Sequence, residues 1–159
     1  MAPLAMFRHA STMSDPNRFR FDEGTAPFPP GYEDRTVNSF VPADPRREPN
    51  LSISRDRFTA GESLADYVSR QVAALKKKLP GYKAEPVVRI ELAGSGLSGL
   101  LARASYRSGA TTVHQRQAVF AISDERALVF TMSSPRPLDA AADALWTAWL
   151  AGVELEPGA

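Results

Sequence analysis

Cysteine is absent from this chain, which excludes a disulfide scaffold and any Cys-ligated metal. Histidine is nearly absent: only His9 and His114 occur. His9 stands in an N-terminal stretch without periodicity. His114 is followed by Gln115 and Arg116, with no acidic or nucleophilic residue at useful spacing. Nucleophile, base and orienting group must meet in space, and no such set is visible. No enzyme activity, no metal site and no cofactor are therefore expected. An excess of charge is missing too: the net charge is +1. The one tight basic run, Lys76 to Lys78, falls at the end of a helical pattern, where cations suit the helix dipole. A nucleic-acid footprint would be broader, so no nucleic acid is expected. No apolar run approaches the length needed to cross a bilayer, and stable membrane insertion is not expected. The apolar run from Pro3 to Phe7 is too short for the core of a signal peptide. The cytoplasm is the simplest compartment.

What is present is an ordinary globular composition, 43% hydrophobic and 23% charged. Its 159 residues suit one domain and suffice to bury a core without staples. Residues 1–16 read as a disordered extension, and Met13, ahead of Ser14, Asp15 and Pro16, is a candidate start. Residues 17–153 read as the folded domain and 154–159 as a loose tail. Strands are expected at Asn17–Phe21, Thr36–Val41 and Leu51–Phe58, with a Gly- and Pro-rich loop from Gly24 to Gly31. Four more follow at Val87–Leu92, Leu100–Arg107, Ala110–Ile122 and Ala127–Ser133. Ser108-Gly109 reads as a two-residue hairpin loop and Ser123-Asp124-Glu125 as a turn. A second helix is expected over Leu138–Ala151, its apolar face carrying Leu138, Ala142, Leu145, Trp146, Trp149 and Leu150. Hairpin-length connections imply an antiparallel sheet, and two amphipathic helices need a face to cover. The expected fold class is α+β, a single domain with the helices packed on one face of the sheet.

The most regular stretch is Ser63–Leu79. Leu64, Tyr67, Val68, Val72, Leu75 and Leu79 recur every three or four residues, painting one face of a helix. Thr59 and Glu62 have capping-box spacing at its start, and Pro80-Gly81 ends it. Gln71 interrupts the apolar stripe. A buried carboxamide costs about 1 kcal/mol or more unless it is bonded. It is either a core amide bonded to nearby backbone or an amide awaiting a bound partner.

Gly94, Gly96 and Gly99 spell G-x-G-x-x-G after a strand. A dinucleotide site needs a helix there, inside a βαβ unit. Gly109 cuts the following element short, so these glycines read as turn residues. Asp56 follows Arg55, a pairing that reads as a surface ion pair. The strand Thr111–Ala121 is more informative. One face carries Val113, Gln115, Gln117 and Val119, and Ser52 and Ser54 share a face of an earlier strand. Amides and hydroxyls among valines give either an ordinary solvated face or a surface that holds an apolar segment and orients it.

Several runs occur in a specific order: Thr36-Val37-Asn38-Ser39-Phe40, Ile53-Ser54-Arg55-Asp56, Gly61-Glu62-Ser63-Leu64, Tyr67-Val68-Ser69-Arg70-Gln71, Leu79-Pro80-Gly81-Tyr82 and Val113-His114-Gln115-Arg116-Gln117-Ala118-Val119-Phe120. Over about residues 17–153 this pattern resembles the DcrB-related family, and within it the Eag-type chaperones of bacterial type VI secretion. The resemblance implies a PsbP-like domain with a curved sheet that pairs into a homodimer. It implies a groove that holds the N-terminal transmembrane region of a PAAR-containing effector in the cytoplasm before loading, and no cofactor. Ser54, Gln71 and Gln115 match the family's groove positions. Val37, Ser52, Val113 and Gln117 join them by strand parity. A groove of aliphatics with Ser and Gln would imitate a neighbouring membrane helix. The alternative from a different class is a domain that binds an apolar small molecule or lipid in the same concavity.

Overall fold

The computed structural model describes residues 15–157. Most of the expected extension, residues 1–14 with His9 and Met13, lies outside the described residues, as do residues 158 and 159 of the tail. The chain divides into two compact units, with the boundary after Asp34.

In the first unit, β1 (Arg18–Phe21) pairs antiparallel with β2 (Gly24–Pro27). The second of these strands lies where composition pointed to a loop. Its Gly-Thr-Ala-Pro sequence has little β propensity. It is held by the Arg18 guanidinium, which donates to the Thr25 hydroxyl and carbonyl, each at 3.2 Å. Phe19 also packs edge-on to Phe28, with ring centroids 6.4 Å apart.

The second unit holds β3 (Asn38–Phe40), β4 (Asn50–Arg57), α1 (Leu64–Lys78), β5 (Lys83–Ala84), β6 (Val88–Leu92), β7 (Leu97–Ser108), β8 (Thr111–Ala121), β9 (Arg126–Ser134) and α2 (Ala140–Ala151). The seven strands form one antiparallel sheet in the order β3-β4-β9-β8-β7-β5, with β6 beside β7 on the same edge as β5. Strand β5 is only two residues long and carries no alternation, which is why the sequence pattern misses it. The β7–β8 loop is Gly109-Ala110, one residue later than expected, because Ser108 still pairs with Thr111.

Helix α1 starts one turn later than the Thr59–Glu62 spacing suggested. The reciprocal box is made by Ser63 and Asp66: the Ser63 hydroxyl accepts from the Asp66 N–H, and the Asp66 carboxylate accepts from the Ser63 N–H. Glu62 accepts from the Thr59 N–H instead, closing the turn ahead of the helix. The Glu62 carboxylate also takes two bonds from the Arg70 guanidinium, at 2.7 and 3.0 Å. Those bonds, chiefly the one from Arg70, lower its pKa from 4.5 to about 2. A carboxylate depressed in the folded state stabilises the fold above its unfolded pKa and loses that contribution as pH falls through the folded value. Wild type should therefore hold a melting-temperature advantage over Glu62→Gln above pH 4.5, shrinking towards pH 2. An unchanged gap across that window in a calorimetric pH series would reject the pairing.

The α+β class with an antiparallel sheet is as expected, but the helices do not share a face. Helix α1 puts Tyr67 and Val68 on Val119, Ala127 and Val129. Helix α2 puts Ala142, Trp146 and Leu150 on Ala118, Phe120, Leu128, Phe130 and Met132. Neighbouring residues of β8 and β9 thus face opposite helices, one on each side of the sheet. The sequence signal was the unbroken apolar runs Ala118-Val119-Phe120 and Ala127-Leu128-Val129-Phe130. A strand covered on one side alternates, whereas one covered on both sides does not. Leu145, expected on the buried stripe of α2, is 42% exposed. It lies about 100° around the helix from the Ala142–Trp146–Leu150 line.

The third glycine of the G-x-G-x-x-G run has a packing role. Gly94 and Gly96 take positive φ in the β6–β7 turn. At Gly99 a Cβ would meet the Val119 carbonyl oxygen and the Phe120 ring, the latter at 2.5 Å. Gly99→Ala should therefore cost about 1–3 kcal/mol through overpacking. A urea midpoint equal to that of wild type would show that both the Val119 carbonyl and the Phe120 ring can give way.

Candidate functional site

The chain enters α1 beside the β8–β9 turn, where the Phe58 N–H donates to the Glu125 carbonyl. It leaves α1 beside the far end of β7, where the Arg107 N–H donates to the Pro80 carbonyl. The helix therefore crosses its face of the sheet diagonally and leaves part of that face uncovered. The register shows what lies there. Ser39 stands opposite Ser52, Ser52 opposite Thr131, and Ser54 opposite Val129. Gln117 stands between Thr131 and Ala102, and Gln115 between Ser133 and Ala104. Val113 is opposite Tyr106 at the end of the row.

Between this strip and the flank of α1 lies a cavity of about 200 Å³. Ser54, Gln71 and Gln117 line it together with Val72, Leu75, Ala102, Val119 and Val129. Three residues expected from sequence thus surround one space. Ser52, Gln115 and Val113 are half-buried on the same face but do not line it. Val37 precedes β3 and is 53% exposed; it too lies outside the lining.

Alternation decides the His-Gln-Arg-Gln run. Gln115 and Gln117 face the α1 side, whereas Arg116 passes to the other side and pairs with Asp143 of α2. The Gln115 Nε2 lies 3.2 Å from the Ser133 hydroxyl. Gln71 is half-buried and, among the described residues, bonds no backbone group; its Nε2 donates to the Asp56 carboxylate at 3.3 Å. The same Asp56 oxygen accepts from the Tyr67 hydroxyl at 2.8 Å. Burial, together with that bond, raises the Tyr67 pKa, and the Arg70 guanidinium sits 5.3 Å from its ring centroid.

The expected Arg55–Asp56 surface pair does not form. Adjacent strand residues point to opposite faces, and Arg55 donates to the Asn38 side chain at 2.8 Å instead. Asp56, missed as a site residue, was legible by parity, since it follows Ser52 and Ser54 on one face of β4. Thr131 and Ser133 were legible in the same way only once their strand was placed beside β4 and β8.

Among the described residues no group of three or more His, Cys, Asp or Glu is arranged to hold a metal, and no helix is long and apolar enough to cross a membrane. The arrangement offers amides and hydroxyls at fixed positions among aliphatic side chains, which suits binding.

Comparison with known proteins places this fold. One relative, named Effector EagT6, from Pseudomonas aeruginosa, is 39% identical over 67 residues, which is 41% of this chain and 46% of the relative. The match thus spans about half of the relative's length. A crystal structure of a Pseudomonas aeruginosa protein of unknown function, PA94, superposes with a TM-score of 0.72 at 26% identity, over 88% of this chain and 96% of the other. The DcrB family profile matches residues 23–152, most of the chain, and this protein belongs to the DcrB family.

Proposed function

We propose that this protein is a cytoplasmic chaperone. It would shield the N-terminal transmembrane segments of a PAAR-containing type VI secretion effector before loading. One observation carries the reading: a strip of Ser and Gln side chains set among Val, Leu and Ala, beside a helix that leaves it uncovered. A transmembrane helix in water exposes a long apolar surface, and covering it is worth roughly 25 cal/mol per Å². Membrane helices pack on one another through small residues and through hydrogen bonds from Ser and Gln. The strip offers the same chemistry in a water-soluble form. The likeness to a protein named Effector EagT6 supports the connection to type VI effectors.

Binding of an apolar small molecule or lipid in the same concavity is the competing reading. The cavity of about 200 Å³ falls below the ~300–1,000 Å³ usual for such ligands, which favours a larger occupant lying along the strip. The test is co-expression with a neighbouring gene product that carries N-terminal membrane spans and a PAAR domain. Co-purification that is lost when the spans are deleted is expected. Purification alone, with lipid found by native mass spectrometry, would overturn the proposal.

A helix of about 20 residues is ~30 Å long, whereas the row from Ser39 through Ser52, Thr131 and Gln117 to Ala102 crosses five strands, about 19 Å at the usual strand spacing. Two copies related by a twofold axis would join their strips, so the working unit is a homodimer. Sedimentation should give a dimer at micromolar concentration; a monomer binding the effector one to one would reject this.

A further inference from the structure

The Asp56 bond to Gln71 sets which way round the amide lies. The two ends of a carboxamide have nearly the same shape. Beside a carboxylate they are not equivalent, because an ionised carboxylate only accepts. Asp56 lies 3.3 Å from one end of the Gln71 amide, and that end must be the Nε2 donor. Oε1 is then the end turned away from Asp56, and it makes no hydrogen bond among the described residues. The Tyr67 hydroxyl donates to the same carboxylate oxygen at 2.8 Å, and the Arg57 N–H donates to the other at 2.8 Å, which fixes the carboxylate independently of Tyr67. Both Asp56 and Gln71 line the cavity beside Ser54 and Gln117.

We infer that Asp56 is a positioning residue: it locks the Gln71 amide so that the groove offers a carbonyl acceptor at this point and selects hydrogen-bond donors on the bound segment. The inference rests on the proposed function and names the chemistry its site reads. Within a helix the backbone N–H groups are already bonded, apart from the first turn. The small donors left on an apolar helix are the hydroxyls of Ser and Thr. Segments with Ser or Thr on the docked face should be preferred over those with isosteric groups that only accept.

The test uses three synthetic apolar helical peptides with lysine-tagged ends. They are identical except at every fourth position of one face, which carries Ser, O-methylserine or Ala. O-Methylserine keeps the oxygen but cannot donate. Repetition along the face removes dependence on docking register. Titration of fluorescent peptide with wild-type protein should show Ser bound about tenfold more tightly than O-methylserine. In Asp56→Asn the amide is free to turn, since Asn offers both a donor and an acceptor, and the preference should fall below about twofold. Tyr67→Phe removes the other side-chain bond to Asp56 but leaves the Arg57 N–H on its second oxygen, and should keep the preference, separating amide orientation from general loosening. Wild type that binds all three peptides equally would overturn the inference and leave the proposed function standing, as would a preference that persists in Asp56→Asn. Failure to bind any of the three would reject both.

Discussion

The double variant Gln71→Leu with Gln115→Leu should lose effector binding by at least about thirtyfold while the free protein stays folded. Each amide bonded to a helix in a dry groove contributes about 1–3 kcal/mol when its loss leaves a partner unsatisfied. Two such losses total about 2–6 kcal/mol, a factor of about thirty or more at about 1.4 kcal/mol per decade. The structure makes the stability side of this prediction specific. Gln71 gives one hydrogen bond to Asp56, which keeps the Tyr67 hydroxyl and the Arg57 N–H as partners. Gln115 gives one to the Ser133 hydroxyl, which is half-buried. No buried side-chain donor or acceptor lacks a partner among the described residues, and neither substitution orphans a deeply buried group. The melting temperature should stay within a few degrees of wild type, and added apolar surface beside Val72 and Val119 favours a small rise. A large fall, with normal binding by the fraction still folded, would show that these amides serve the fold and not the groove.

How far the sequence revealed this arrangement depended on which periodicity each element carried. Helix α1 was legible because its stripe is regular and Pro80-Gly81 marks its end, although the Thr59–Glu62 spacing put its cap one turn too early. The polar strip was legible because Leu51-Ser52-Ile53-Ser54 alternates in β4 and the two-residue period of a strand groups Val113, Gln115 and Gln117 on one face of β8, so Ser52, Ser54, Gln115 and Gln117 could be assigned to faces without a structure. Alternation could not show that the faces of separate strands coincide. That depends on β9 lying between β4 and β8, a long-range pairing with no local signature. The same gap hid the placement of the helices. Two amphipathic helices satisfy a sheet equally well from one side or from both, and only the doubly buried runs of β8 and β9 decide between these. The hairpin of β1 and β2 escaped because its second strand is held by Arg18 and Phe28 and not by propensity. Asp56 escaped because its sequence neighbour, Arg55, suggested an ion pair that strand geometry forbids.

The two faces should therefore separate stability from binding, and Phe130→Ala tests the half that the glutamine variant does not. Phe130 is 1% exposed and lies on the α2 side of β9. It meets Phe120 and Trp149 edge-on, with centroids 5.9 and 5.4 Å apart. Removing its ring deletes both aromatic contacts and leaves a cavity in a packed core. The expected cost is about 3–5 kcal/mol, and at about 2–4 °C per kcal/mol for a chain of this length the melting temperature should fall by about 6–20 °C. Phe130 has no part in the strip, because its neighbours Val129 and Thr131 face that side and it does not. At a temperature where Phe130→Ala remains fully folded by circular dichroism, effector affinity should stay within about threefold of wild type. This mirrors the glutamine pair, where affinity falls and stability holds. A fully folded Phe130→Ala protein with affinity reduced as far as in the glutamine variant would mean that the two faces are mechanically coupled. Binding would then draw on the whole sheet and not on the strip beside α1.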